Sequence, residues 1–202
     1  MKVAETFTSI QGEGLWAGTP QYFIRCGGCN LDCSWCDTGY AREGGTEVSV
    51  DKLVDDARSS RLKWSCITGG EPLLQAVEVL ELTLGLKDSG VRVLLETNGT
   101  LYDRKIFNEA DCVSMDVKTP SSKMKSDLEI LDMLEGKDQA KAVIADEADY
   151  YYVKKLVEAG HPFTWILQPE GGGGFRWIAE KAIEDALPVR VMPQLHKLEG
   201  LR

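Results

Sequence analysis

The sequence predicts an α/β fold built on a mostly parallel sheet, and two observations carry that prediction. Apolar runs rich in β-branched residues alternate with amphipathic segments along the 202 residues, the pattern of repeated strand–helix units. The unusual polar motifs fall just past the ends of the apolar runs, and a parallel sheet gathers those carboxyl ends on one face. With 43% hydrophobic residues the chain is long enough for one good-sized core, so residues 1–202 are read as one domain.

Strands are expected at 21–26, 65–68, 91–96, 113–118, 140–145, 163–168 and 189–192. Each is a short apolar run bounded by turn residues. Between them, apolar residues at helical spacing predict helices at 50–59, 73–86, 125–134, 147–158 and 175–186, the first behind Ser49 as an N-cap. The glycine run at 171–174 reads as a loop before the last helix. Thr68-Gly-Gly-Glu-Pro, Glu96-Thr-Asn-Gly, Asp116-Val-Lys-Thr-Pro-Ser-Ser, Gln168-Pro-Glu and Pro193-Gln-Leu-His-Lys each follow a strand. Gly, Pro and Asn punctuate loops in any protein, but five such polar strand ends in register argue for a shared site.

Charge narrows the partners. A net charge of −9 and a pI near 4.8 lack the positive footprint that phosphate-backbone binding requires, so direct nucleic-acid binding is not expected. The N-terminal residues carry no signal-peptide apolar run, and no stretch of about 18 apolar residues occurs, so neither a membrane span nor export is expected and the location is read as cytoplasmic. A reducing compartment disfavours structural disulfides and leaves metal or redox chemistry to clustered thiols. Cys66 and Cys112 sit in apolar runs and read as small buried hydrophobes.

The other four cysteines lie within residues 26–36. Cys29, Cys33 and Cys36 are spaced Cys-x3-Cys-x2-Cys, which suits three thiolates on three irons of a 4Fe-4S cluster. The fourth iron is then free to bind and reduce a small molecule. A four-cysteine zinc knuckle would normally use two separated Cys-x2-4-Cys pairs, and a simple electron-transfer cluster would want a fourth cysteine. Cys26 is expected to lie on the strand and not to bind iron.

Cys29-x3-Cys33-x-Trp35-Cys36 resembles the signature loop of the radical S-adenosylmethionine (SAM) enzymes. Glu5-x-Phe7-x-Ser9-Ile10-Gln11-Gly12-Glu13-Gly14, together with Phe23-Ile24-Arg25, Gly28-Cys29-Asn30-Leu31, Cys36-Asp37-Thr38 and Pro193-Gln194-Leu195-His196-Lys197, is similar to the 7-carboxy-7-deazaguanine synthase family. The likeness covers nearly the whole chain. It implies a compact, incomplete (βα) barrel and a radical SAM lyase that converts 6-carboxy-5,6,7,8-tetrahydropterin to 7-carboxy-7-deazaguanine with loss of ammonia, in a queuosine-type 7-deazapurine pathway. A 5′-deoxyadenosyl radical from SAM, rather than a side chain, would abstract the substrate hydrogen. The likeness also implies a homodimer and an electron donor such as flavodoxin or ferredoxin.

Residue by residue, it places the 4Fe-4S cluster on Cys29, Cys33 and Cys36 and Mg2+ at Thr38. SAM would be met by Trp35, Cys36, Asp37, Gly70 and Glu71, by Asp116, Lys118 and Ser121, and by Gln168 near the adenosyl end. A single neutral ligand suits Mg2+, which keeps its waters, and an acidic residue suits the SAM ammonium. The pterin carboxylate wants a cation, for which Arg25 offers a bidentate fork. The donor-rich pyrimidine edge wants acceptors, which Ile10, Gln11, Gly12 and Glu13 supply, with Glu96 and Asn98 able to serve the same site. Thr68 and His196 complete the expected substrate contacts, while His161 reads as an ordinary loop histidine. Arg202 departs from family members whose terminal carboxylate meets the substrate. A glycyl-radical activating enzyme and a non-catalytic iron–sulfur or zinc module are the competing readings.

Overall fold

The computed structural model describes residues 1–200, so the question raised by Arg202 lies outside the described residues. The chain opens on a strand absent from the sequence expectations, β1 (Lys2–Ile10), antiparallel to β2 (Pro20–Cys26). Glu, Thr and Ser break up the apolar pattern of β1, because its outer face is half exposed at the side of the sheet. A bulge between Val3 and Glu5 lets Val3 pair with Cys26 while Glu5 pairs with Arg25. One extra residue thus puts two side chains two apart in sequence on opposite faces.

A two-residue strand, β3 (Thr46–Glu47), flanks β1. The seven predicted strands all form: after β2 come β4 (Trp64–Gly69), β5 (Arg92–Thr97), β6 (Cys112–Asp116), β7 (Gln139–Ile144), β8 (Thr164–Pro169) and β9 (Val189–Val191). They run parallel from β2 to β9 in one nine-stranded sheet of order β3-β1-β2-β4-β5-β6-β7-β8-β9. The sheet does not close by strand pairing. Its open side is spanned by a one-turn 3-10 segment, Gly14–Trp16, whose Leu15 N–H donates to Gln139 Oε1 of β7 at 2.6 Å. The C-terminal segment joins there through Leu195 N–H to the Gly12 carbonyl at 2.9 Å.

Helices α1 (Val50–Ser59), capped by Ser49, and α4 (Glu147–Glu158), capped by Asp146, match their expected spans. The helix expected at 73–86 is split: Pro72–Gln75 is a 3-10 turn, and α2 runs Ala76–Asp88. Glu71 takes the Leu73 N–H and tightens that first turn. The helix expected at 125–134 is instead a 3-10 run, Leu128–Met133. Ser126 Oγ donates to the Asn98 carbonyl and Asp127 N–H to Gly99, so the residues that would start an α-helix are bonded to the end of β5. α3 (Arg104–Glu109), capped twice by Asp103, and α6 (Leu195–Glu199) are short and were not expected. α5 (Phe175–Glu184) ends two residues early, where Ala186 takes a positive φ of 50°.

Alternation along the strands builds two apolar layers. Outward residues such as Ile67, Leu95, Val113, Met115 and Leu167 pack with Leu82, Leu86, Tyr150 and Val153 of the helices. Inward residues Phe23, Trp64, Cys66, Leu94 and Cys112 meet Phe7 and Trp16 in a second, smaller cluster that fills the amino-terminal half of the interior.

Candidate active site

Two residues further along each of these strands, the inward wall turns polar. Phe23 gives way to Arg25, Cys66 to Thr68, Leu94 to Glu96, and on β6 Cys112 to Ser114 and Asp116. β7 adds Gln139 and Lys141. The carboxyl-terminal members of this series, Arg25, Thr68, Glu96, Asp116 and Lys141, line a cavity of about 440 Å3.

The cysteine loop forms part of the same wall. Cys26 ends β2 with its thiol fully buried, and burial pushes that thiol up to about 12. The chain then turns out of the sheet, and Cys29, Cys33 and Cys36 all line the cavity. The loop is bolted to the end of β4: Gly70 N–H donates to the Cys26 carbonyl at 3.1 Å and Glu71 N–H to Gly28 at 2.8 Å. A Cβ on Gly70 would collide with the Gly28 carbonyl, so the Gly-Gly pair is what permits this approach. Leu31 N–H and Asn98 Nδ2 point at Cys29 Sγ from 3.5 and 3.9 Å. Such donors suit a sulfur that carries thiolate charge.

The donor set fits an iron–sulfur cluster. Among the described residues no three His, Cys, Asp or Glu side chains converge on a single ion, but a cluster asks for one thiolate per iron. Thr38 Oγ1 lies 3.7 Å from Cys36 Sγ, which puts a neutral oxygen beside the thiol loop. Trp35 donates its Nε1–H to Ser121 Oγ at 3.3 Å and lies under Lys118 Nζ at 5.4 Å. Lys118 in turn pairs with Asp116 at 2.8 Å.

At the centre stands Lys141, 5% exposed, with its Nζ 2.5 Å from Glu13 Oε2 and 2.6 Å from Glu96 Oε2. Burial alone would pull this ammonium down, but the two carboxylates outweigh it and hold the lysine well above its ordinary value. The carboxylates differ. Burial pushes Glu13 up, yet Lys141, Gln194 and His196 together bring it below the usual glutamate value. Burial pushes Glu96 up too, and there Lys141 offsets only part of the rise while the charge of Glu13 adds to it. Glu13 is better supplied, since Gln194 Nε2 donates to its Oε1 at 2.5 Å and His196 Nε2 stands at 3.9 Å. Gln11 Nε2 reaches Glu96 Oε1 at 3.4 Å.

Arg25 is held by Glu5, Nε to Oε1 at 2.9 Å, and lies over the Phe7 ring at 5.5 Å. Tyr40 donates to the same Glu5 oxygen at 2.6 Å. His196 sits 3.5 Å from Asp37, and its hydrogen bond is the main reason that carboxyl falls below the usual range.

Ile10, Gln11, Gly12, Glu13, Arg25, Thr68, Glu96, Asn98 and His196 all line the cavity, as do Trp35, Asp37, Thr38, Gly70, Asp116 and Lys118. Three expected residues stand outside its lining. The Glu71 carboxylate is fully buried and accepts from Leu73 N, Thr97 Oγ1 and Asn98 N, at 3.0, 2.9 and 2.7 Å. It ties the ends of β4 and β5 together and leaves no oxygen pointed at an incoming ammonium. Ser121 stands behind Trp35 and donates to Asp149 Oδ2 at 2.6 Å. Gln168 is fully buried at the end of β8, its amide without a partner among the described residues.

Reasoning from sequence missed Lys141 and Gln194. The signal for Lys141 was present: a lysine inside the apolar run Ala140-Lys141-Ala142-Val143 is buried only when paired.

The radical SAM superfamily model matches residues 23–164. A 7-carboxy-7-deazaguanine synthase of Methanospirillum hungatei is 42% identical over the whole of this chain and 86% of its own length. One from Thermoplasma acidophilum is 38% identical over 98% of this chain and 96% of its own. The crystal structure of QueE from Escherichia coli shares the fold at a TM-score of 0.79, with 24% identity over 96% of this chain and 94% of that one. The wall of thiols, the glycine-bolted loop and these likenesses agree: the chain belongs to the 7-carboxy-7-deazaguanine synthase family of the radical SAM superfamily.

Proposed function

We propose that the chain converts 6-carboxy-5,6,7,8-tetrahydropterin to 7-carboxy-7-deazaguanine with loss of ammonia. The observation that carries this reading is the union, in one cavity, of three cluster-suited thiols with the Glu13–Lys141–Glu96 group and Arg25. Cys29, Cys33 and Cys36 would hold the cluster, which, reduced by one electron from an external donor and with SAM bound, would supply radical hydrogen abstraction at the pterin C6.

The protein's own part is to bind, orient and exclude. Arg25, pre-set by Glu5, presents its remaining guanidinium nitrogens to the substrate carboxylate. Glu13 and Glu96 accept from the amino and ring N–H groups of the pterin edge, and Gln11 and His196 complete that wall. Thr68 and Asn98, at neighbouring strand ends, close the substrate side. Asp116 and Lys118, salt-bridged to each other beside Trp35, are offered to the polar groups of SAM, while Gln168, buried behind the lining, would reach the adenosyl end only if its covering side chains shift. Thr38 supplies one neutral oxygen for Mg2+, whose remaining places would be filled by substrate and water oxygens.

The same reading includes one domain over residues 1–202, a homodimer, a cytoplasmic location and an external electron donor of the flavodoxin or ferredoxin class. Among the described residues no helix is long and apolar enough to cross a membrane. Cys36 is the exposed cysteine of the three, which is compatible with electron delivery from that side of the loop.

The test is an anaerobic assay with reconstituted protein, dithionite, SAM, Mg2+ and the carboxytetrahydropterin. Formation of 7-carboxy-7-deazaguanine is expected. No product, but SAM cleavage when a partner protein is supplied, would replace this reading with the activating-enzyme one.

A further inference from the structure

We propose that Lys141 is a positioning residue that sets the substrate's pyrimidine edge by holding Glu13 and Glu96 as a pair of charged acceptors. The inference rests on the substrate reading above and adds a residue that neither motif nor family likeness supplied.

The geometry carries the argument. Glu13 comes from the loop after β1 and Glu96 from β5, two parts of the chain that do not touch through their backbones. Lys141, on β7, spans them with one ammonium, 2.5 Å from one carboxylate and 2.6 Å from the other. Two carboxylates and one lysine leave a local excess of one negative charge, which suits a donor-rich edge and repels an acceptor-rich one. The lysine is itself 5% exposed and its partners take two of its three protons, so its effect on substrate passes through the glutamates.

Removal of the ammonium would leave two carboxylates facing each other in a buried wall. Like charges so placed cannot both stay ionised at little cost, and the pair then shares a proton. A protonated glutamate presents a donor where the pterin presents one too, so binding should become sensitive to pH. Other titratable or charged groups facing the group are Asp116 at the end of β6, Lys118 just beyond it, Arg25 on β2, the neutral Cys66 thiol on β4, and His196 with Asp37 on the open side. Removal of Lys141 alters the field at each of these groups as well, so the double variant below, which removes one carboxylate of the pair, assigns the pH dependence to the glutamates.

The experiment compares wild type, Lys141→Met, Lys141→Arg and the double variant Lys141→Met/Glu96→Gln, each with cluster and SAM. KM for the carboxytetrahydropterin and kcat are read at several pH values, and the dissociation constant of SAM is measured by calorimetry. For Lys141→Met we expect KM raised at least tenfold at neutral pH and falling as pH rises, kcat changed less than KM, and SAM affinity unchanged. Lys141→Arg should restore most of the KM, and the double variant should lose the pH dependence while keeping a high KM. If Lys141→Met does not fold, Lys141→Gln carries the same profile. A flat KM profile in the single variant, or KM equal to wild type, overturns the proposal. Failure of the wild type to turn over this pterin would overturn the substrate reading instead, so the two failures are told apart.

Discussion

The two halves of the barrel interior differ in chemistry although the same strands build them. The lower half holds Phe23, Trp64, Cys66, Leu94 and Cys112 with Phe7 and Trp16; the upper half holds Arg25, Thr68, Glu96, Asp116 and Lys141. The change takes one inward step, two residues or about 7 Å, on β2, β4 and β5, and on β6 it passes through Ser114 to Asp116. Stability and reactivity are therefore divided along the strand and not between strands. The lower layer removes apolar surface from water, and the upper layer holds charges in pairs on the rigid strands that layer supports. Desolvated charges in the upper half are tolerable because each has a partner: Arg25 with Glu5, Lys118 with Asp116, Lys141 with two glutamates.

If that division holds, chemically equal substitutions should fail in different ways according to height. The largest contrast is between cysteines. Cys33→Ser should abolish the cluster and all turnover, read as iron per chain and visible absorbance after anaerobic reconstitution. Cys112→Ser, in the lower layer, should keep the iron. It should instead lose about 1–3 kcal/mol of stability in denaturant unfolding, from a hydroxyl buried among apolar groups. Iron loss in both variants would break the division.

Next in size is the pair Leu94 and Glu96, two inward positions on β5. Leu94→Ala should cost about 2–5 kcal/mol of stability, the range for a large-to-small change in a filled core. Glu96→Gln should cut kcat/KM for the pterin at least tenfold, about 1.4 kcal/mol of lost transition-state binding, with a much smaller change in unfolding. Equal stability losses would mean that the upper wall is structural.

A third contrast concerns Glu71, a carboxylate at cavity height whose side chain faces away from it. Glu71→Gln keeps the shape but turns one acceptor oxygen into a donor, so one of Leu73 N, Thr97 Oγ1 or Asn98 N loses its partner. A cost of about 1–3 kcal/mol in unfolding is expected, with SAM binding affected only through the bolted loop. Loss of SAM affinity without loss of stability would restore the direct ammonium contact that the motif suggested.

These contrasts also explain what the sequence made legible. The seven parallel strands and the helices over residues 50–59 and 147–158 follow from local pattern: β-branched runs, amphipathic spacing and, for the first helix, the capping residue Ser49. The cysteine loop was readable because cluster ligation needs a fixed spacing of a reactive residue type. β1 was hidden because it carries polar residues on a half-exposed side of the sheet, and its bulge breaks the two-residue period that identifies a strand. The helix expected at 125–134 failed because bonds from Ser126 and Asp127 to β5 override a local preference. Lys141 and Gln194 escaped because their role depends on Glu13, which is 128 residues from the one and 181 from the other. Glu71 shows the converse: a motif gives the residue, but only the fold shows which way its side chain turns.

The smallest expected effect is a dependence of stability on pH within the upper half itself, where Glu13 and Glu96 share one lysine yet move in opposite directions. Glu13 is held below its ordinary value of 4.5, chiefly because Lys141, Gln194 and His196 outweigh the effect of burial. Its contribution is therefore fully present above 4.5 and is lost as pH falls through the lower folded value. Glu96 is pushed above 4.5 by burial. The native state then holds its proton more tightly than the unfolded chain, so its contribution is lost as pH rises from 4.5 through the folded value. Differences between variant and wild type isolate these terms from the other carboxylates. Glu13→Gln should be less stable than wild type near neutrality, and the gap should close as pH falls below 4.5. Glu96→Gln should show the reverse trend, gaining on wild type as pH rises above 4.5. Urea midpoints across that range check both slopes, and parallel slopes for the two variants would mean that Lys141 does not divide its charge unequally between them.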